Sequence, residues 1–435
     1  MPHDHFLLVS AIFPFRARIV QGYREDYKVL AGEDSLPGED GNFFVLFSPL
    51  QTGKCHKKIL LDLVVYEPGE CEHVTAGLLL LARPEHAGIK RYFNRQQVLD
   101  HPLLFLDTNG RGAMARANAR WGELESRYDA LLAANINDKF PEDRRVMFTR
   151  CRAWLVFQGY SQDINKDCLD AFAFDYDSGG FWQFLVPSGQ GEYVLLKICV
   201  KMLPKENAVR ILFYRCPGGD KKENLNDEKE VKLILRPDIE DRSFHETTKA
   251  YLGLENIFSA SVKPNSKGFI FSAHQDRQIN IKADRGSFVL EPEWEYMVHR
   301  PLDAQRSLDP DSDLFSPGYF NTMLKGGEFE ELTAQVKHSA YIADFKRKTV
   351  VSSCQDVEKL FSSGFHKKTD MKIDEALLKA MDMFVVDRGR LKSIIAGYPW
   401  FLDWGRDSLI FLRGMIAAGR YEDSKSILKL FGQYE

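Results

Sequence analysis

"FWQFLVPSGQGEYVLLKICVKMLPKENAVRILFYR", residues 181–215, contains three apolar runs in thirty-five positions. The runs 181–186, 192–203 and 208–215 are rich in Phe, Val, Leu and Ile, and Gly-, Pro- and Asn-bearing gaps separate them. No gap is long enough to hold a crossover helix, so successive runs are predicted to pair as antiparallel strands.

The same texture extends in both directions. "FFVLFS" (43–48), "KILLDLVVY" (58–66), "AGLLLLAR" (76–83), "VMFTRCRAWLVFQG" (146–159) and "VKLILRP" (231–237) repeat it. From residue 1 to about 345 the expectation is therefore a mostly β chain of antiparallel sandwiches, with residues 1–100 an unassigned β-rich segment and 101–345 a β-sandwich domain. Within it, "WGELESRYDALLAAN" (121–135) places Leu124, Tyr128, Leu131 and Leu132 on one helical stripe, which predicts a helix. "YFNTMLKGGEFEELTAQVK" (319–337) reads as a hairpin about its Lys-Gly-Gly. Residues 346–373 read as a polar linker with room for one short helix. Beyond it, "DEALLKAMDMFVV" (374–386), "DSLIFLRGMIAAG" and "YEDSKSILKLFGQ" have helical spacing, with Asp374 a candidate N-cap. Three such helices cannot close a core by themselves, so they are expected to begin a larger all-α domain.

Composition narrows the function classes. The formal charge is −4 over 435 residues, which gives no general attraction to nucleic acid or anionic membrane. No apolar run reaches the roughly 18–20 residues that span a bilayer. The seven scattered cysteines suit reduced thiols in a cytoplasmic protein better than a disulfide framework. "GRGAMA" (110–115) follows a strand-like stretch, but the βαβ frame of a dinucleotide site is missing. "DPDSD" (309–313) lacks the Gly and Glu that a calcium loop needs at its sixth and twelfth positions and reads as a turn. His3, His5, Cys55, His56, Cys71 and His73 lack the paired spacings of a zinc site, so no metal is expected.

The densest chemistry lies at 396–407, "AGYPWFLDWGRD". Trp400, Phe401 and Trp404 could be core, with Asp407 capping the helix that follows. Yet burying Asp403, Arg406 and Asp407 among tryptophans requires complete pairing. Aromatic rings that stack on a pyranose, beside charged groups that hold its hydroxyls, make the alternative reading: a carbohydrate site.

"IIAGYPWFLDWGRDSLIFLRGMIAAGRYEDSKSIL" (394–428) resembles the start of the catalytic domain of glycogen-debranching amylo-α-1,6-glucosidases. The likeness rests on Tyr398, Pro399, Trp400, Phe401, Trp404, Gly405, Arg406 and Asp407. Residues 108–146 and 308–320 are similar to parts of that family's β-rich N-terminal domain, so the resemblance runs from about residue 100 to the end. It implies that 374–435 are the first helices of an (α/α)6 barrel. It also implies that Asp407 is the general acid, that Arg406 and Trp404 shape a glucose subsite, and that Tyr398, Trp400 and Phe401 form its aromatic wall, with Asp403 among the substrate-binding residues. A guanidinium next to a carboxylate also suits the binding of sugar hydroxyls, so acid and hydroxyl ligand stand as two roles for Asp407. The implied partner is a branched α-glucan, glycogen or limit dextrin, and acid–base hydrolysis of an acetal needs no cofactor.

Inverting hydrolysis needs two carboxyls about 6.5–9.5 Å apart on opposite faces of the bond. Asp403 and Asp407, if both helical, would lie about 5–6 Å apart on one side. The partner base is expected from elsewhere in the barrel, and twelve helices of about 11–12 residues need well over two hundred residues. The sequence is therefore expected to be an N-terminal portion, inactive alone. A non-catalytic α-glucan-binding or scaffold module, and a glucoamylase-like α-1,4 hydrolase or phosphorylase, are the alternative functions.

Overall fold

A computed structural model describes residues 5–22, 27–51, 56–81, 88–137, 144–219, 223–338, 353–366 and 371–434. It divides the chain into two units, residues 1–89 with 370–376, and residues 90–369 with 377–435. Residues 346–352 and 367–370 of the expected linker, along with His3 and Cys55, lie outside the described residues.

The first unit is built from short antiparallel strands. Phe15–Gln21 is flanked by Lys28–Asp34 and Lys57–Glu67, and Glu70–Leu80 forms the outer edge. Leu7–Ala11 pairs with Phe43–Phe47 in a separate three-stranded sheet. Alternation along Phe15–Gln21 sends Phe15, Ala17 and Ile19 into a core with Val45, Phe47, Ile59 and Leu61, as expected of strands with one buried face.

In the second unit two large antiparallel sheets pack face to face. One has eight strands, with Ala130–Asn135, Arg144–Phe157, Val231–Ser243 and Asp311–Leu324 at its centre. The other has nine, with Gly179–Pro187, Tyr193–Met202, Ala208–Arg215 and Phe329–His338 at its centre. The three runs that opened the sequence reading are three consecutive members of this second sheet. In Tyr193–Met202, Val194, Leu196, Ile198, Val200 and Met202 face the sandwich core, while Leu195 and Cys199 face outward. That outer face is also apolar, and Val357, Phe361 and Phe365 of the helix Cys354–His366 cover it. The antiparallel sandwich is as the sequence predicts.

Two local expectations are corrected. Residues 121–135 are not a helix: 121–129 are turns, and Ala130–Asn135 is a strand buried on both faces. A strand without a polar face has no alternation to betray it. Residues 319–337 are two strands but not a hairpin. Asp311–Leu324 belongs to the eight-stranded sheet and Phe329–His338 to the nine-stranded one, so Lys325–Gly327 carries the chain from one layer to the other.

Ile373–Phe384, Gly405–Ala417 and Tyr421–Phe431 are helices. Asp374 lies in the first turn of its helix rather than at its cap. Val385–Arg388 and Leu391–Ile394 form a small hairpin that the sequence reading had placed partly in helix. Among the described residues no helix is long and apolar enough to cross a membrane.

Candidate functional site

The loop 396–404 hangs between this small hairpin and the helix Gly405–Ala417, and three attachments fix its shape. The backbone closes on itself, with Ala396 N donating to Leu402 O at 2.8 Å and Phe401 N to Gly397 O at 2.7 Å. Asp403 accepts from Arg388 Nη1 at 2.6 Å and from Ser393 Oγ at 2.7 Å, and its side chain is 1% exposed. The third attachment comes from the sandwich. Arg144 donates from Nη1 to Pro399 O at 2.9 Å and from Nε to Gly112 O at 2.9 Å. Its guanidinium lies 4.7 Å from the Tyr398 ring centroid and 5.1 Å from that of Phe244, a cation–π arrangement in a desolvated setting.

Tyr398 is thus a buried anchor, packed with Val386, Ile395, Phe244 and Tyr128 against the outer face of the eight-stranded sheet. Burial pushes its phenol up to about 12, against the opposing pull of Arg144. Burial likewise lowers Arg144 from the usual guanidinium range.

The remaining residues of the motif face outward. Trp400, Phe401 and Trp404 are exposed, Trp404 by 52%, and Phe401 and Trp404 meet edge to face with centroids 6.3 Å apart. Arg406 has 76% of its side chain exposed. Asp407 is 34% exposed and lies in the first turn of Gly405–Ala417, whose N-cap position is Trp404. It caps nothing: its side chain makes no hydrogen bond among the described residues, and Oδ2 is shielded from solvent with Arg406 Nη2 at 3.4 Å. Among the described residues its only cationic neighbour within 4 Å is Arg406.

Thus the structure presents Trp400, Phe401, Trp404, Arg406 and Asp407 outward and turns Tyr398 and Asp403 inward. Sequence reasoning missed Arg144, Arg388 and Ser393, which hold the loop. Their positions, 255 residues away and 15 and 10 residues before their partners, leave no local pattern to read. It also missed Arg306, whose guanidinium sits 4.8 Å from the Trp400 ring centroid.

Comparison with known proteins adds three findings. The family described as "Glycogen debranching enzyme N terminal" matches residues 105–329, and "Amylo-alpha-1,6-glucosidase" matches residues 378–435. A solved structure titled "Putative kojibiose phosphorylase from human microbiome" aligns with a TM-score of 0.36 at 10% identity, covering 69% of this chain and 43% of that one. No curated protein matches the chain.

Proposed function

Because the chain belongs to the glycogen debranching enzyme family, we propose that it is a glycoside hydrolase of the amylo-α-1,6-glucosidase type, and that its loop 398–407 meets an α-1,6-linked glucose branch. The observation that carries this reading is the split within the loop. Tyr398 and Asp403 are consumed in anchoring, while three aromatic rings and a guanidinium are exposed and the Asp407 carboxyl is partly so. Exposed aromatics beside unspent charge suit a pyranose, whose C–H face stacks on rings and whose hydroxyls need donors and acceptors. On this reading residues 101–345 are the sandwich domain of a debranching enzyme and 374–435 the opening helices of its (α/α)6 barrel.

Asp407 would give its proton to the glycosidic oxygen as the C1–O bond breaks and the glucan chain leaves as its 6-hydroxyl, while water adds at C1 of the branch glucose, whose ring Arg406 and Trp404 hold. Asp403 is poorly placed to activate water, because its side chain is 1% exposed and its Oδ2 is held by Arg388 and Ser393. The second carboxyl that inversion requires must come from outside this loop. Arg406 at 3.4 Å favours a second role for Asp407, the holding of sugar hydroxyls.

Asp407→Asn separates the two roles when affinity for a limit dextrin is read by affinity electrophoresis. A proton donor loses its chemistry on this change and keeps its affinity within a small factor. A hydroxyl ligand loses about tenfold or more, the usual worth of a hydrogen bond to a charged group. If the unaltered chain is not retarded by the dextrin at all, the reading is wrong.

A further inference from the structure

Residues 300–310 join the strands Ser287–His299 and Asp311–Leu324 through the short helix Pro301–Gln305, and this loop is tied firmly to the sandwich. Asp303, fully buried, accepts from Ser126 Oγ at 2.9 Å, from Arg127 N at 2.8 Å and from Arg127 Nε at 3.2 Å. Arg127 Nη2 donates onward to Asp309 O at 2.9 Å. Arg300 N bonds Pro310 O and Leu308 N bonds Asp303 O, which closes the loop across its base. At its tip Ser307 adopts a φ of +58°, a left-handed conformation that costs an L-residue about 1 kcal/mol or more and persists only where the surroundings over-determine it.

This rigid tip presents Arg306. Among the described residues, the exposed Arg306 side chain makes no ion pair and no hydrogen bond, and its guanidinium lies over the ring of Trp400. A guanidinium over an indole face is held there by the cation–π attraction while its N–H groups stay free to donate. We propose that Arg306 is a substrate-contacting residue supplied by the sandwich, which with Trp400 grips hydroxyls of the glucan chain around the branch. The inference rests on the reading of loop 398–407 as an α-glucan site and goes beyond it, because it assigns part of that site to the β domain. The anchor at Asp403 divides the loop's outward side chains into two groups, Trp400–Phe401 before it and Trp404–Arg406–Asp407 after it. The second group carries the chemistry proposed for the branch glucose. The first, with Arg306, is left for the glucan that bears it.

The test compares the unaltered chain with Arg306→Ala and Arg306→Lys, titrated with limit dextrin and, separately, with isomaltose. The expected result is an affinity for dextrin about tenfold lower in Arg306→Ala, with the affinity for isomaltose and the melting temperature unchanged. Arg306→Lys should behave like Arg306→Ala, because an ammonium keeps the charge but not the fork of N–H donors. Full dextrin affinity in Arg306→Ala would overturn the proposal while the site reading stands. So would an equal loss for both sugars with a lower melting temperature, which would mark Arg306 as a strut, or full affinity in Arg306→Lys. If the unaltered chain binds neither sugar, the site reading itself fails and takes this proposal with it.

Discussion

Asp403 and Asp407 show how two identical side chains, four residues apart, divide their labour by surroundings. Asp403 turns its charge inward, where its Oδ2 accepts from Arg388 and Ser393. Asp403→Ala would remove a carboxylate that is 1% exposed from its pair with Arg388, itself only 10% exposed in the side chain. Breaking such a buried pair costs about 3 kcal/mol or more, so urea unfolding at pH 7 should show a loss of that order. Asp407→Ala should leave the unfolding midpoint close to that of the unaltered chain, since Asp407 makes no hydrogen bond to lose. Equal destabilisation by the two changes would contradict the division. The motif's residue types were legible in the sequence, and its outward and inward halves were not. Which aspartate turns inward depends on Arg388 and on a hairpin that the sequence reading had placed partly in helix.

At the scale of the element, the same limit explains the strip 121–135. Leu124, Tyr128, Leu131 and Leu132 fall on a helical stripe, but strand Ala130–Asn135 lies between two neighbours with both faces buried. A fully buried strand and a buried helix look alike in a short apolar run, and only long-range pairing decides between them. By contrast, the strands at 181–215 carry turn residues at every break, and their bounds came out within two residues. Helical glycines give a test at this scale. Gly414 lies inside Gly405–Ala417, and a Cβ there would meet Met381 Cε at 3.6 Å, an ordinary contact. Gly414→Ala should raise stability by about 0.5–1 kcal/mol through the usual helical preference. At Gly364, a Cβ would come within 2.8 Å of the fully buried Phe181 ring. Gly364→Ala should therefore lower the melting temperature, by loosening Cys354–His366 from the nine-stranded sheet. Stabilisation by both changes would mean that this helix does not dock as described.

Over the whole molecule, a buried charge network underlies the loop that carries Arg306. Glu240, fully buried, accepts from Arg242 Nε at 2.7 Å, Thr149 Oγ1 at 2.7 Å and Thr248 Oγ1 at 2.8 Å, with Arg300 at 3.7 Å. Burial alone would raise its carboxyl, but Arg242 and Arg300 outweigh that and hold it down at about 2, against an ordinary 4.5. A folded value below the unfolded one gives stability that is fully present above the unfolded value and is lost as pH falls through the folded one. Unfolding free energy should therefore decline between about pH 4.5 and 2, and Glu240→Gln should flatten that decline. At pH 7 the same change should cost about 3 kcal/mol, because Arg242 and Arg300 stay buried without their anion. A steep acid decline that persists in Glu240→Gln would assign it to other carboxyls. Two-layer architecture was readable from the strand runs, whereas this network was not, because its members are scattered from Arg127 to Asp303 across several elements. The layer change at Lys325–Gly327 escaped for a related reason. A Gly-Gly turn between strands looks the same whether the strands pair or part.

The proposed α-glucan site at loop 398–407 turns Tyr398 and Asp403 inward and Trp404 and Arg406 outward. Titration of branched limit dextrin into the unaltered chain, Trp404→Ala and Arg406→Ala tests it most directly. The unaltered chain should bind saturably, with affinity lowered several-fold in Trp404→Ala and about tenfold in Arg406→Ala and melting temperatures unchanged. Dextrin binding of equal strength in all three proteins would contradict it.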